Sequence, residues 1–227
     1  MTDFGSPSFA NWRDTAPDWQ AYVTHPFVQG IGDGSLPRRA FLRYLVQDYV
    51  FLIHFARAWA LGVVKAETMD EMEVCAGTVD GLINHEMALH VRTCEAAGIG
   101  KADLETATEH PANLSYTRYV LDAGFSGDFL DLIAALAPCV LGYGEIGSRL
   151  KAEATSDAYV DWIDTYAAED YQSVCRSVAN LIEKAVHRRL GSDPQSTPRW
   201  TALQNRFSTA TRLEVAFWGI GFDAGFD

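Results

Sequence analysis

The chain has 227 residues, of which 48% are hydrophobic and 21% charged, enough for a sizeable core and ordinary for a globular protein. Its formal net charge of −12, from 18 basic against 30 acidic residues, argues against a nucleic-acid or anionic-membrane partner. No basic, apolar leader opens the chain, and its most apolar run, residues 51–64, is too short to cross a bilayer.

The four cysteines (Cys75, Cys94, Cys139, Cys175) are scattered, with no Cys-x-x-Cys pair. That pattern fits reduced thiols in a cytoplasmic protein better than a disulfide framework or a zinc site.

Apolar periodicity is helical nearly throughout, with no clean two-residue alternation long enough for a strand. A first amphipathic helix is expected over residues 9–24, and a short second one starts at His25-Pro26-Phe27-Val28 and ends in the turn Gly32-Asp33-Gly34. Ser35 is the expected N-cap of the next helix, with Pro37 in its first turn, running to about Ala66. Its apolar stripe reads Phe41, Tyr44, Asp48, Phe51, Phe55, Trp59. Asp48 therefore stands where a core residue belongs. Either it satisfies a neighbouring helix or it faces a ligand cavity.

Thr68 and Glu71 read as a capping box opening a helix that closes at Gly98. Glu86 and His90, four apart on it, fit either a metal site or a hydrogen-bonded pair holding adjacent helices. With no further ligand evident, the second is the expectation. A polar stretch follows over residues 101–110, then a helix entered at Pro111 and closed near Gly124.

The next helix, residues 128–150, carries Leu132, Leu136, Val140 and Ile146 in its stripe, with Cys139 and Tyr143 four apart on one face. Pro138 takes the usual donor away from the carbonyl of Ala134 and bends the helix. A helix over residues 156–190 is expected to bend near Ala167 and Ala168. Thr197-Pro198 opens the last, whose stripe Trp200, Leu203, Phe207, Ala210, Glu214, Phe217 again contains a carboxylate. The whole reads as a single all-α domain, residues 1–227, of about eight or nine helices.

Three helices thus each set a chemically active residue into an apolar stripe: Asp48, Cys139 with Tyr143, and Glu214. A thiol and two carboxylates in a dry pocket supply a nucleophile and two groups for proton transfer. Taken alone, Cys139 reads as an inert core cysteine rather than a nucleophile.

The ordered set His25-Pro26-Phe27-Val28, Asp33-Gly34-Ser-Leu36-Pro37, Tyr44-x-x-Gln47-Asp48, Phe55-Ala-Arg57-Ala, Glu86-x-x-x-His90, Asn113-Leu-x-Tyr116-Thr, Pro138-Cys139-x-x-Gly-Tyr143-x-Glu145, Trp162-Ile163-x-x-Tyr166 and Glu214-x-x-Phe217-Trp218 resembles the TenA family of thiaminase II, or aminopyrimidine aminohydrolase, enzymes. The resemblance implies a haem-oxygenase-like helical fold without haem or other cofactor, a homotetramer, and a cytoplasmic role in thiamin salvage on aminopyrimidines or thiamin. By motif match it implies Cys139 as nucleophile, Asp48 as the carboxylate that binds the pyrimidine and positions the thiol, and Glu214 as acid/base on a ring nitrogen. Tyr143, Tyr166, Phe51 and Phe217 match residues around the pyrimidine.

Phe51 departs from the tyrosine common in the family, which removes a hydroxyl from the site. Metal-dependent oxygenases of the same fold class need histidines near residues 166–171, which read Tyr-Ala-Ala-Glu-Asp-Tyr. A carrier that keeps the pocket without turnover is the remaining alternative.

Overall fold

A computed structural model describes residues 2–225. Among these, twelve α-helices and no strand occur. They are α1 (Pro7–Thr15), α2 (Trp19–Val23), α3 (Pro26–Asp33), α4 (Arg38–Lys65), α5 (Met69–Gly81), α6 (Met87–Ala96), α7 (Lys101–Glu105), α8 (Pro111–Ser126), α9 (Phe129–Glu153), α10 (Val160–Ala167), α11 (Glu169–Leu190) and α12 (Pro198–Gly219). A π-helical turn, Leu82–Glu86, joins α5 to α6 without a break in the backbone.

The count exceeds the expectation for local reasons. Pro17 forces the preceding Ala16 into an extended conformation (φ −79°, ψ 113°), which splits the first expected helix into α1 and α2. The expected bend near Ala168 is a full break, with ψ 145° at that residue, between α10 and α11. The polar stretch after Gly100 holds the single-turn helix α7.

Two expected caps are also corrected. Pro37, not Ser35, is the N-cap of α4, and Ser35 instead donates its backbone N–H to Asp33 in the preceding turn. Thr68 caps α5 as expected, but the Glu71 carboxylate turns back to the Glu67 N–H and across to Arg189. The reciprocal capping box stands on α9, between Asp128 and Asp131. Gly98 ends α6 in the left-handed region (φ 85°) with Ile99 N–H bonded to the Cys94 carbonyl, as its glycine signalled.

Helix α9 is the axis of the fold. It packs against α2, α3, α4, α8, α10, α11 and α12, and its side chains are buried from Phe129 to Leu150 on nearly every face. A helix wrapped on all sides has to be apolar all round. By length and composition it is therefore α9, rather than residues 51–64, that matches a membrane span, yet its apolar stretch lies wholly inside the protein. Each fully buried Leu or Ile on it contributes about 1.5–3 kcal/mol of burial free energy.

Glycines on α9 set how closely its neighbours approach. A Cβ on Gly142 would run into the Tyr22 ring, and one on Gly147 would lie 2.5 Å from the Tyr166 backbone. These two positions let α2 and α10 close directly over the turns that flank Cys139 and Tyr143.

Candidate active site

The sequence singles out seven residues, and the fold draws all of them into one cluster. Cys139 and Tyr143 come from α9, Asp48 and Phe51 from α4, Tyr166 from α10, and Glu214 and Phe217 from α12. Phe51 packs on Tyr116 (ring centroids 5.0 Å apart) and Phe217 (5.3 Å), and Tyr143 meets Tyr166 edge-on at 4.9 Å. All but Cys139 are buried; Cys139 is half-buried.

A cavity of about 570 Å³ reaches Cys139 from solvent. Leu52, Phe55, Glu86, Cys139, Val140 and Tyr171 form much of its inner wall, and exposed Asn84, His85, Arg92 and Asp170 ring its opening. Of the seven expected residues Cys139 lines this cavity, and the other six stand behind its wall.

Around the thiol, the backbone of α9 takes unusual side-chain donors. Tyr22 donates to the Pro138 carbonyl at 3.3 Å, and Tyr171 to that of Val140 at 3.3 Å. These contacts brace the proline-bearing turn that presents Cys139.

Glu214 accepts a hydrogen bond from the Tyr116 hydroxyl at 2.8 Å. Its other neighbour is the Cys139 thiol, and the hydrogen-bonding contact between them is felt in the titration of both groups. Burial pushes the Glu214 carboxyl up to about 8, with the Asp48 charge adding and the Tyr116 hydrogen bond opposing. Burial likewise pushes the Cys139 thiol well above its ordinary value, reinforced by the charges of Glu214, Glu86 and Asp48. At neutral pH both therefore rest protonated, and a free thiolate is disfavoured.

Asp48 and His90 meet at 2.6 Å through Oδ2 and Nε2. Tyr44 donates to the same Oδ2 at 3.1 Å, and its hydroxyl also meets Tyr143 (3.4 Å) and the Trp162 N–H (3.3 Å). The second His90 nitrogen, Nδ1, lies 2.8 Å from the Glu86 carbonyl. Both partners of the ring accept, so both nitrogens donate and the ring is an imidazolium. Burial alone would lower the His90 pKa, but the Asp48 hydrogen bond and charge outweigh it and hold it at about 9.

The sequence expectation for Glu86 and His90 is thus half right. His90 does tie adjacent helices, but through Asp48 on α4, and it touches Glu86 only at the backbone. The Glu86 carboxylate instead accepts from Tyr166 at 2.7 Å. Among the described residues no group of three or more His, Cys, Asp or Glu side chains is placed to hold a metal ion.

Two participants, Tyr44 and Tyr116, escape the sequence reading, and Glu86 and His90 find partners other than each other. Tyr44 stands four residues before Asp48 on one helix face, a spacing that pairs them, whereas nothing local pairs Tyr116 with Glu214.

Residues 12–224 match the TENA/THI-4/PQQC family. The chain is 35% identical over 215 residues to an aminopyrimidine aminohydrolase of Halalkalibacterium halodurans, covering 93% of each chain. It superposes with a TM-score of 0.96 on the crystal structure of a TenA family transcription regulator from Silicibacter sp. TM1040, at 56% identity, covering 98% of this chain and 100% of that one. A Shewanella denitrificans domain with a haem oxygenase-like fold superposes with a TM-score of 0.68 at 13% identity, over 94% of this chain and 88% of that one, which places the helical architecture. The chain belongs to the TENA/THI-4/PQQC family.

Proposed function

We propose that this protein is a thiamin-salvage hydrolase. It converts 4-amino-5-aminomethyl-2-methylpyrimidine to the hydroxymethyl product and ammonia, and takes thiamin, whose thiazolium occupies the same methylene, by the same route. The observation that carries this reading is the Cys139 thiol at the inner wall of an open cavity, backed by a protonated Glu214. The aminohydrolase relatives support the substrate class.

The titration of the two groups shapes the mechanism. Because a buried thiolate is costly, attack on the pyrimidine ring and movement of the thiol proton occur together. Glu214 gives its proton to a ring nitrogen while taking the proton of Cys139, so the thiol proton ends on the ring and a carbon–sulfur bond forms. The dearomatised ring expels its exocyclic nitrogen as a neutral amine, and water adds to the resulting methylene, its spare proton passing to the released amine or to solvent. The carbon–sulfur bond then breaks, the ring proton returns through Glu214 to sulfur, and aromaticity is restored. Covalent catalysis replaces one difficult displacement by two easier ones.

Asp48 has its Oδ2 committed to His90 and Tyr44, which leaves Oδ1 for the amino group of the pyrimidine. Seating the ring against Asp48 and Glu214 requires the wall formed by Leu52, Phe55 and Cys139 to open. These steps use no metal or cofactor. Cytoplasmic action and a homotetrameric assembly, which the family resemblance implies, are part of the same proposal.

The test is incubation of the wild-type protein with the aminomethylpyrimidine and, separately, with thiamin, tracking the hydroxymethyl product and ammonia. Stoichiometric formation of both products from the first substrate is expected. Tight binding of the pyrimidine without turnover would replace the hydrolase by a carrier.

A further inference from the structure

Hydrolysis by this route uses two of the three carboxyl groups that converge on Cys139. The third, Glu86, belongs to the π-helical turn and is the one that lines the cavity itself. One of its oxygens accepts from Tyr166 at 2.7 Å, and the other has no partner among the described residues. Leu52, Phe55, Leu82, Val140 and Val174 supply apolar lining around it. That oxygen faces the open cavity, where a carboxylate flanked by apolar groups attracts a cation that enters beside it. The buried cation next to it, His90, is already held by Asp48, and Arg92 stands exposed at the rim.

We propose that Glu86 is the counter-charge for a positively charged nitrogen on the exocyclic methylene of the substrate, so that the site selects pyrimidines with a cationic leaving group. This rests on the hydrolase reading and extends it to the substituent. The inner face of the cavity is closed by the buried cluster, so the departing group leaves outward, past Glu86 and between Asn84, His85 and Asp170.

The chemistry favours the same class. When the carbon–nitrogen bond of an aminomethyl substituent breaks, its electron pair goes to nitrogen. An ammonium already carries three protons and departs as neutral ammonia with no further proton transfer. A carboxylate beside it holds it in that form until the bond breaks. A thiazolium is likewise a cation that leaves neutral. An N-acylated amine is uncharged and gains nothing from Glu86.

The experiment compares a cationic with a neutral ligand in Glu86→Gln, which keeps an acceptor for Tyr166. The KM for the aminomethylpyrimidine should rise at least about tenfold, the loss expected for one charge-assisted hydrogen bond. The inhibition constant of the neutral hydroxymethylpyrimidine should stay within about twofold. Glu86→Asp, which retains the charge, should keep the preference for the cation and serves if the glutamine variant does not fold.

An equal loss for both ligands, or no loss for either, would overturn the proposal. Should the wild type bind both pyrimidines and turn over neither, the hydrolase reading fails, and calorimetric affinities of the same two ligands still read the preference. Binding of neither ligand overturns both.

Discussion

The Oδ2 atom of Asp48 and the Nε2 atom of His90 lie 2.6 Å apart, joining helices α4 and α6 across 42 residues of sequence. Neither side chain is solvent-accessible beyond 4%. Removing one partner strands the other charge in a dry site, which typically costs about 3–5 kcal/mol. His90→Gln is therefore expected to lower the unfolding free energy by that order in denaturant titrations at pH 6. A loss below about 1 kcal/mol would mean that water reaches the pair and screens it.

The same groups set the pH dependence of stability. The folded-state value for His90, about 9, stands above its ordinary 6.5. Those of Glu86, about 7, and Glu214, about 8, stand above 4.5. Each holds its proton more tightly when folded. Each therefore contributes stability that is complete below its ordinary pKa and lost as pH rises through the folded one. Unfolding free energy should decline between about pH 4.5 and 9. His90→Gln should flatten the part of that decline above about pH 6.5. A stability that rises with pH over the same range would contradict the charge assignments.

Tyr116 and Glu214 make a separable prediction on activity. Glu214 has to be protonated to serve the ring nitrogen, so the rate should fall as pH rises through about 8. The Tyr116 hydrogen bond at 2.8 Å favours the carboxylate and lowers that value. Tyr116→Phe should move the alkaline limb of the pH–rate profile upward while reducing the rate by about 5–150-fold, the equivalent of about 1–3 kcal/mol. An unmoved limb would assign the titration to another group.

Phe51 stacks on Phe55 at 5.0 Å and lies close to Tyr116 and Phe217, with no polar atom of its own to offer a substrate. Phe51→Tyr introduces the hydroxyl that the family resemblance implies at this position. It is expected to raise kcat/KM for the aminomethylpyrimidine by about tenfold, close to the value of one hydrogen bond. Lower thermal stability with no kinetic gain would show that the hydroxyl finds no partner in this aromatic setting.

Much of this site is legible in the sequence because it is written in violations of a pattern. Asp48 and Glu214 interrupt apolar stripes on α4 and α12, and a carboxylate in a stripe is visible without a structure. Cys139 and Tyr143 share a face through simple helical spacing. The partners are not legible. Tyr116 reaches Glu214 across 98 residues, and no local rule pairs them. Glu86 and His90 do lie one regular helical turn apart, but their side chains are taken by other helices: Glu86 meets Tyr166 on α10 and His90 meets Asp48 on α4, partners no local spacing identifies. The helix count fails at Pro17 and Ala168, where an amphipathic pattern continues across a break in the backbone.

Cys139 is the residue on which the chemistry turns, and the decisive measurement is turnover and binding in Cys139→Ala. This variant is predicted to fold, to bind the aminomethylpyrimidine within a fewfold of the wild type, and to lose hydroxymethylpyrimidine formation by on the order of 10³-fold or more. Wild-type rates of ammonia release from the alanine variant would contradict it, because the exocyclic carbon–nitrogen bond would then be cleaved without sulfur.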